Sequence, residues 1–130
     1  WGNVNMGNCS GAVPGHPMIK KMLEEREKVS FIREDGGLNL ETCGVYETRP
    51  LIREGMCVDN RVQMVSGMTV YSSDYFSPYD YMSGELNMTE NTFSIHHFNG
   101  GWLDEKAKQQ RKITQMQYQD VMKRMVREDE

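Results

Sequence analysis

Apolar residues recur at helical spacing twice in this chain, with short blocks and breakers between. Met18, Ile19, Met22 and Leu23 follow i, i+3/i+4 spacing and form one stripe, while Lys20, Lys21, Glu24, Glu25, Arg26 and Glu27 form a solvated face. Pro17 stands where a helix tolerates proline best, at its first position, so a mainly structural helix is expected to open there. The second periodic stretch covers residues 105–127, which contain neither Gly nor Pro. Ile113, Met116, Val121, Met122, Met125 and Val126 recur along it, Asp104 is its N-cap candidate, and a single amphipathic helix with a Met-rich, core-packing stripe is predicted. Residues 127–130 should fray into solvent.

Between these helices the pattern shortens. Residues 1–14 are rich in Gly and Asn, with Val4, Met6 and Val13 as apolar points, and read as a short strand or loop. Gly36-Gly37 breaks the chain, and residues 38–48 read as a helix or a turn carrying Thr42-Cys43-Gly44. Val58, Val62 and Val65 point to short strands or one helical turn between Gly55 and Gly67, and residues 68–71 are β-rich. Residues 75–81 form an aromatic loop bounded by Pro78 and Gly84, able to stack on a sugar or base or to cover a core edge. No internal repeat is present.

The densest chemistry lies in Phe93-Ser94-Ile95-His96-His97-Phe98-Asn99-Gly100-Gly101-Trp102. A strand is expected through residue 98, and alternation would then turn His96 and His97 to opposite faces. Gly100 and Gly101 allow a positive φ or close backbone approach, and Trp102 adds a flat apolar wall with one N–H. Such a segment suits a metal, a phosphate or a sugar ring. The plainer reading is a satisfied strand-end histidine beside an ordinary turn.

Composition narrows the classes. The chain has 130 residues, 38% hydrophobic and 26% charged, with a net charge of −4. Length predicts one compact unit, and the acidic balance argues against nucleic acid as a partner. Cys9, Cys43 and Cys57 are an odd set without paired ligand spacing, read as free thiols in a reducing compartment. No run approaches the roughly 18 apolar residues of a membrane span. Asn8-Cys9-Ser10 and Asn87-Met88-Thr89 fit the glycosylation sequon and lean weakly toward a secretory location.

Thr89-Glu90-Asn91-Thr92-Phe93-Ser94-Ile95-His96-His97-Phe98-Asn99-Gly100-Gly101-Trp102 resembles the closing motif of the sugar transferases of glycosyltransferase family 32. That family, whose members carry an Asp-x-Asp pair, includes initiating mannosyltransferases and bacterial capsular-polysaccharide transferases. Ala12-Val13-Pro14-Gly15-His16-Pro17 is similar to its Gly-His-Pro turn before a helix, and Tyr75-Phe76-Ser77-Pro78 to its aromatic-aromatic-x-Pro segment. Thr42-Cys43-Gly44-Val45 sits where the family has Thr-Gly-Pro, with Val45 in the proline's place. The matches run in the expected order over residues 3–103.

The resemblance implies an α/β fold, the C-terminal part of a GT-A-like nucleotide-diphospho-sugar transferase, with residues 1–103 in the transferase domain and 104–130 as a C-terminal helix. It implies a Mn²⁺ or Mg²⁺ ion with His97 as a ligand, by analogy with the histidine of the glycogenin-like transferases. His96, Asn91 and Thr92 become supporting residues, and Gly100, Gly101, Trp102 and Gly44 cofactor-binding positions. A nucleotide-diphospho-sugar donor and a glycan acceptor are the implied partners. The implied location is the cytoplasm, peripheral to a membrane, or the Golgi lumen in a eukaryote. The chain has no two aspartates at Asp-x-Asp spacing. It is therefore expected to be a fragment that is inactive alone and self-associates through an uncovered apolar face. The rival is a non-catalytic carbohydrate- or nucleotide-binding or scaffolding domain using Trp102 and the tyrosines of 75–81. A histidine-metal hydrolase would need more ligands than His16, His96 and His97 supply.

Overall fold

The computed structural model describes residues 3–101 and 103–128, with the side chains of 122 and 125–128 left aside. It combines helices with a small antiparallel two-stranded sheet, in the order α1 (Pro17–Glu27), α2 (Cys43–Arg53), β1 (Gln63–Val65), β2 (Met68–Val70), α3 (Ser73–Phe76) and α4 (Glu105–Glu128). Where length predicts one unit, the chain divides into two, Trp1–Ser73 and Asp74–Glu130. Among the described residues no helix is long and apolar enough to cross a membrane.

In the first unit, α1 opens at Pro17 as expected, and His16 caps it by accepting the Met18 N–H on Nδ1 at 3.2 Å. Met18 and Met22 are buried, but Leu23 is exposed and Glu25, assigned to the wet face, is buried. The reason is a partner on α2. Arg53 donates to both carboxylate oxygens of Glu25, at 2.6 and 2.9 Å, and so ties the two helices together. Such a bidentate pair satisfies the desolvated carboxylate that the charge pattern alone would leave in water.

The helix-or-turn of residues 38–48 is a helix that starts at Cys43 and runs on past Thr48 to Arg53, with Pro50 inside it. Its end is a left-handed glycine cap. Gly55 takes φ +96°, its N–H donates to Ile52, and the Met56 N–H reaches back to Leu51 at 2.9 Å. That return folds Met56 into the core formed with Met18, Met22, Leu51 and Val65. The β-rich stretch at 68–71 is realised as β2, paired with β1 in the register Val65↔Met68 and Gln63↔Val70. Ser66 and Gly67, with φ of +47° and +80°, make the two-residue turn whose twist suits paired strands.

The Glu25–Arg53 pair makes an acid response predictable. Arg53 beside it holds the Glu25 carboxyl at about 2, below its ordinary 4.5. The unfolded chain then binds more protons than the folded one between those values, so stability falls as pH drops through that window and is full above it. We expect Glu25→Gln to be less stable than wild type near neutrality. The difference in urea midpoint should shrink steadily from pH 4.5 downward. A difference independent of pH would show that the pair carries no such linkage.

The second unit has a different internal logic. Tyr79 bridges to Leu86 across a loop closed by Gly84, which takes φ +81°. On α4, Asp104 caps as expected, its Oδ1 accepting the Ala107 N–H at 2.7 Å. The apolar stripe does not pack as expected, since Ile113, Met116 and Val121 are exposed. Instead Gln115 donates to the Tyr81 carbonyl and Gln119 to that of Ser83. The helix faces loop backbone, whose carbonyls require donors that methionine cannot supply.

Candidate functional site

Residues 89–101 form no strand, against the alternation of 93–98. They are instead sewn to α3 and the segment after it. The Phe93 N–H donates to the Tyr75 carbonyl at 2.8 Å, the Thr92 hydroxyl to Asp74 O at 2.7 Å, and the Ser94 hydroxyl to Phe76 O at 3.2 Å. Thr89 completes the turn, its hydroxyl donating to the Asp74 carboxylate and accepting the Asn91 N–H. The Thr92 side chain thus holds backbone, whereas Asn91 contributes only its own N–H and its side chain is exposed. An aromatic triad, Tyr75, Phe76 and Phe93, gathers there with ring centroids 5.9 to 6.4 Å apart, and Phe93 is 76% exposed.

The two histidines are both exposed and have different neighbours. His96 Nδ1 accepts the Phe98 N–H at 3.0 Å, and its ring lies 4.1 Å from that of Phe98. His97 lies 6.4 Å from the Tyr79 ring. Phe98 takes φ +50°, a left-handed value that is costly for a bulky residue, so the backbone after His97 turns instead of continuing extended. The Phe98 ring is held 5.0 Å from Tyr81, and Arg111 of α4 covers Tyr81 at 4.9 Å. Gly100 takes φ +61° and accepts the Leu103 N–H at 2.9 Å. A Cβ there would meet Leu103 Cδ1 at 2.8 Å and Arg111 Nη1 at 2.9 Å. Trp102 lies outside the described residues.

Gly44 belongs to the first unit, at the start of α2, and is buried. Val4 crosses it so closely that a Cβ would come 2.9 Å from the Val4 carbonyl oxygen. Thr48 fastens this crossing, donating to Gly44 O at 2.6 Å and accepting the Val4 N–H at 2.7 Å. The structure therefore gives Gly44 a packing reason, brings His96, Phe98, Tyr81, Arg111 and Gly100 together and sets His97 beside Tyr79, while nothing lies within 4 Å of where a Gly101 Cβ would stand. Arg111 has no part in the sequence pattern that predicts α4. Its place beside Gly100 follows only from the loop's fold.

A divalent cation does not fit these residues alone. No three His, Cys, Asp or Glu side chains converge among the described residues, and one imidazole is no cage for manganese or magnesium. No protein-family model, curated protein or solved structure matches the chain.

Proposed function

We infer that this chain is the closing part of a GT-A-type sugar transferase, and that residues 96–101 meet a nucleotide-diphospho-sugar donor during transfer to a glycan acceptor. The observation that carries this reading is the loop itself. Residues 96–101 form a largely exposed turn, closed within itself by the His96–Phe98 hydrogen bond and held by Tyr81 and Arg111, with a left-handed Phe98 at its bend. Strain kept in a braced, accessible loop is better accounted for by ligand contact than by core packing. The ordered family-like motifs supply the chemistry. In the transfer, the bond from the anomeric carbon to the phosphate oxygen breaks with its electron pair on the departing diphosphate. The acceptor hydroxyl oxygen forms the new bond, and its proton passes to solvent. The residues of this chain bind and orient, and no two aspartates stand in it at the spacing of the family's pair.

A second reading, a non-catalytic sugar-binding module, is favoured by one observation. Phe93 projects exposed from the aromatic triad, a surface on which a pyranose ring could stack. The two readings separate in one titration. Uridine- and guanosine-diphosphate sugars added to the ¹⁵N-labelled chain should shift amides within 96–101. Free monosaccharides or oligosaccharides that shift only residues near 75, 76 and 93 would support the module instead. If no sugar nucleotide perturbs residues 96–101, the transferase reading fails.

A further inference from the structure

Arg111 stands out among the charges of α4. Lys108 and Arg124 pair with Glu105 and Asp120 on the same helix. Arg111, like Lys106, Lys112 and Lys123, makes no ion pair among the described residues, but of these four it is the one placed over an aromatic ring. The residue is half-buried, and its guanidinium carbon lies over Tyr81, 4.9 Å from the ring centroid. Nη1 also lies against the Gly100 backbone, within 2.9 Å of where a Cβ would stand. The neighbouring backbone is equally unspent. The Phe98 N–H goes to His96, but the N–H groups of Asn99, Gly100 and Gly101 donate to no described residue. A guanidinium fork beside consecutive free N–H groups, in a turn bent by φ of +50° and +61°, has the composition of a phosphate cradle.

We propose that Arg111 and the backbone of residues 99–101 form an anion site for the diphosphate of the sugar donor, an assignment of occupant that rests on the transferase reading. The contact with Tyr81 already holds the guanidinium in place before the ligand arrives, so less side-chain freedom is lost on binding. Lysine at this position would keep the charge but lose both the stack and the bidentate geometry. The chain's net charge of −4 works against general attraction of anions, so any retention of phosphate must be local.

The test uses inorganic pyrophosphate as the probe, titrated into the ¹⁵N-labelled full chain at constant ionic strength. Amide shifts should concentrate on residues 99–101. Arg111→Gln should weaken binding by about tenfold or more, the scale of one lost charge-assisted hydrogen bond. Arg111→Lys should fall between the two, and Lys112→Gln, an equal charge change at an exposed neighbour, should bind as wild type does. Undiminished binding by Arg111→Gln, or an equal loss in Lys112→Gln, overturns the site. If Arg111→Gln melts below wild type, Arg111→Lys decides, and wild-type affinity in that variant overturns it as well. The occupant is read separately. Should pyrophosphate binding depend on Arg111 while no nucleoside-diphosphate sugar binds more tightly than pyrophosphate, the anion site is supported and the transferase reading is what falls.

Discussion

Leu51→Ala is expected to cost about 2–5 kcal/mol, the range for emptying a fully buried leucine site whose walls relax only in part. Leu51 has no exposed surface, and its neighbours in the core are Met18, Met22, Met56 and Val65. Two features make this site sensitive. Its carbonyl accepts the Met56 N–H that closes the α2 cap, so a shift of the helix end also disturbs the entry of Met56 into the core. The core is also small, and a domain stable by roughly 5–15 kcal/mol has little to spare. Ile52→Ala is the matched control. That side chain is 48% exposed on the same helix turn, and alanine is the better helix former, so its change should stay small. Urea midpoints of the two variants should separate widely. Equal midpoints would mean that Leu51 does not anchor this core.

What the sequence disclosed, and what it hid, divides along the range of the interactions. Pro17 and Asp104 announced their helices because a helix start is decided within a few residues, by a missing N–H or a side-chain acceptor. The start of α2 at Cys43 fell within the expected stretch, but its length did not, because its buried face consists of Gly44, Tyr46, Thr48, Pro50 and Leu51. Gly, Thr and Pro carry no hydrophobic signal, so the helical period was invisible. Glu25 read as solvated because its partner Arg53 is remote in sequence.

The candidate site shows the same division. Alternation in 93–98 called for a strand, yet a strand exists only where another edge accepts its hydrogen bonds, and here the segment bonds to the carbonyls of residues 74–76. The opposite faces expected for His96 and His97 presuppose a strand that does not form; both side chains are exposed, His96 against Phe98 and His97 beside Tyr79, with the backbone turning at Phe98. On α4 the stripe of Ile113, Met116 and Val121 obeyed the helical period and still faced solvent. Periodicity finds the helix but cannot tell that its neighbour is a loop needing glutamine donors.

Gly44→Ala should destabilise the first unit by about 1–3 kcal/mol, the usual cost of forcing atoms into a closed packing site. The obstacle is backbone. An added Cβ would sit 2.9 Å from the Val4 carbonyl oxygen and 3.4 Å from Asn3 Cβ, and no side-chain rotation can relieve the first of these. Moving Val4 away also strains the bond from its N–H to the Thr48 hydroxyl, which has its own donor committed to the Gly44 carbonyl. Alanine's helix preference over glycine, ~1 kcal/mol in a helix interior, offsets part of this and counts for less at a first turn. The sign should therefore remain destabilising. Thr48→Val probes the same crossing from the other side, since it leaves the Val4 N–H without its acceptor and should cost about 1–3 kcal/mol. In both variants the amides of residues 96–101 should respond to sugar nucleotides or pyrophosphate as in wild type. Gly44→Ala with an unchanged melting curve but weakened ligand response would reverse the assignment, making Gly44 a ligand-contacting residue instead of a packing one.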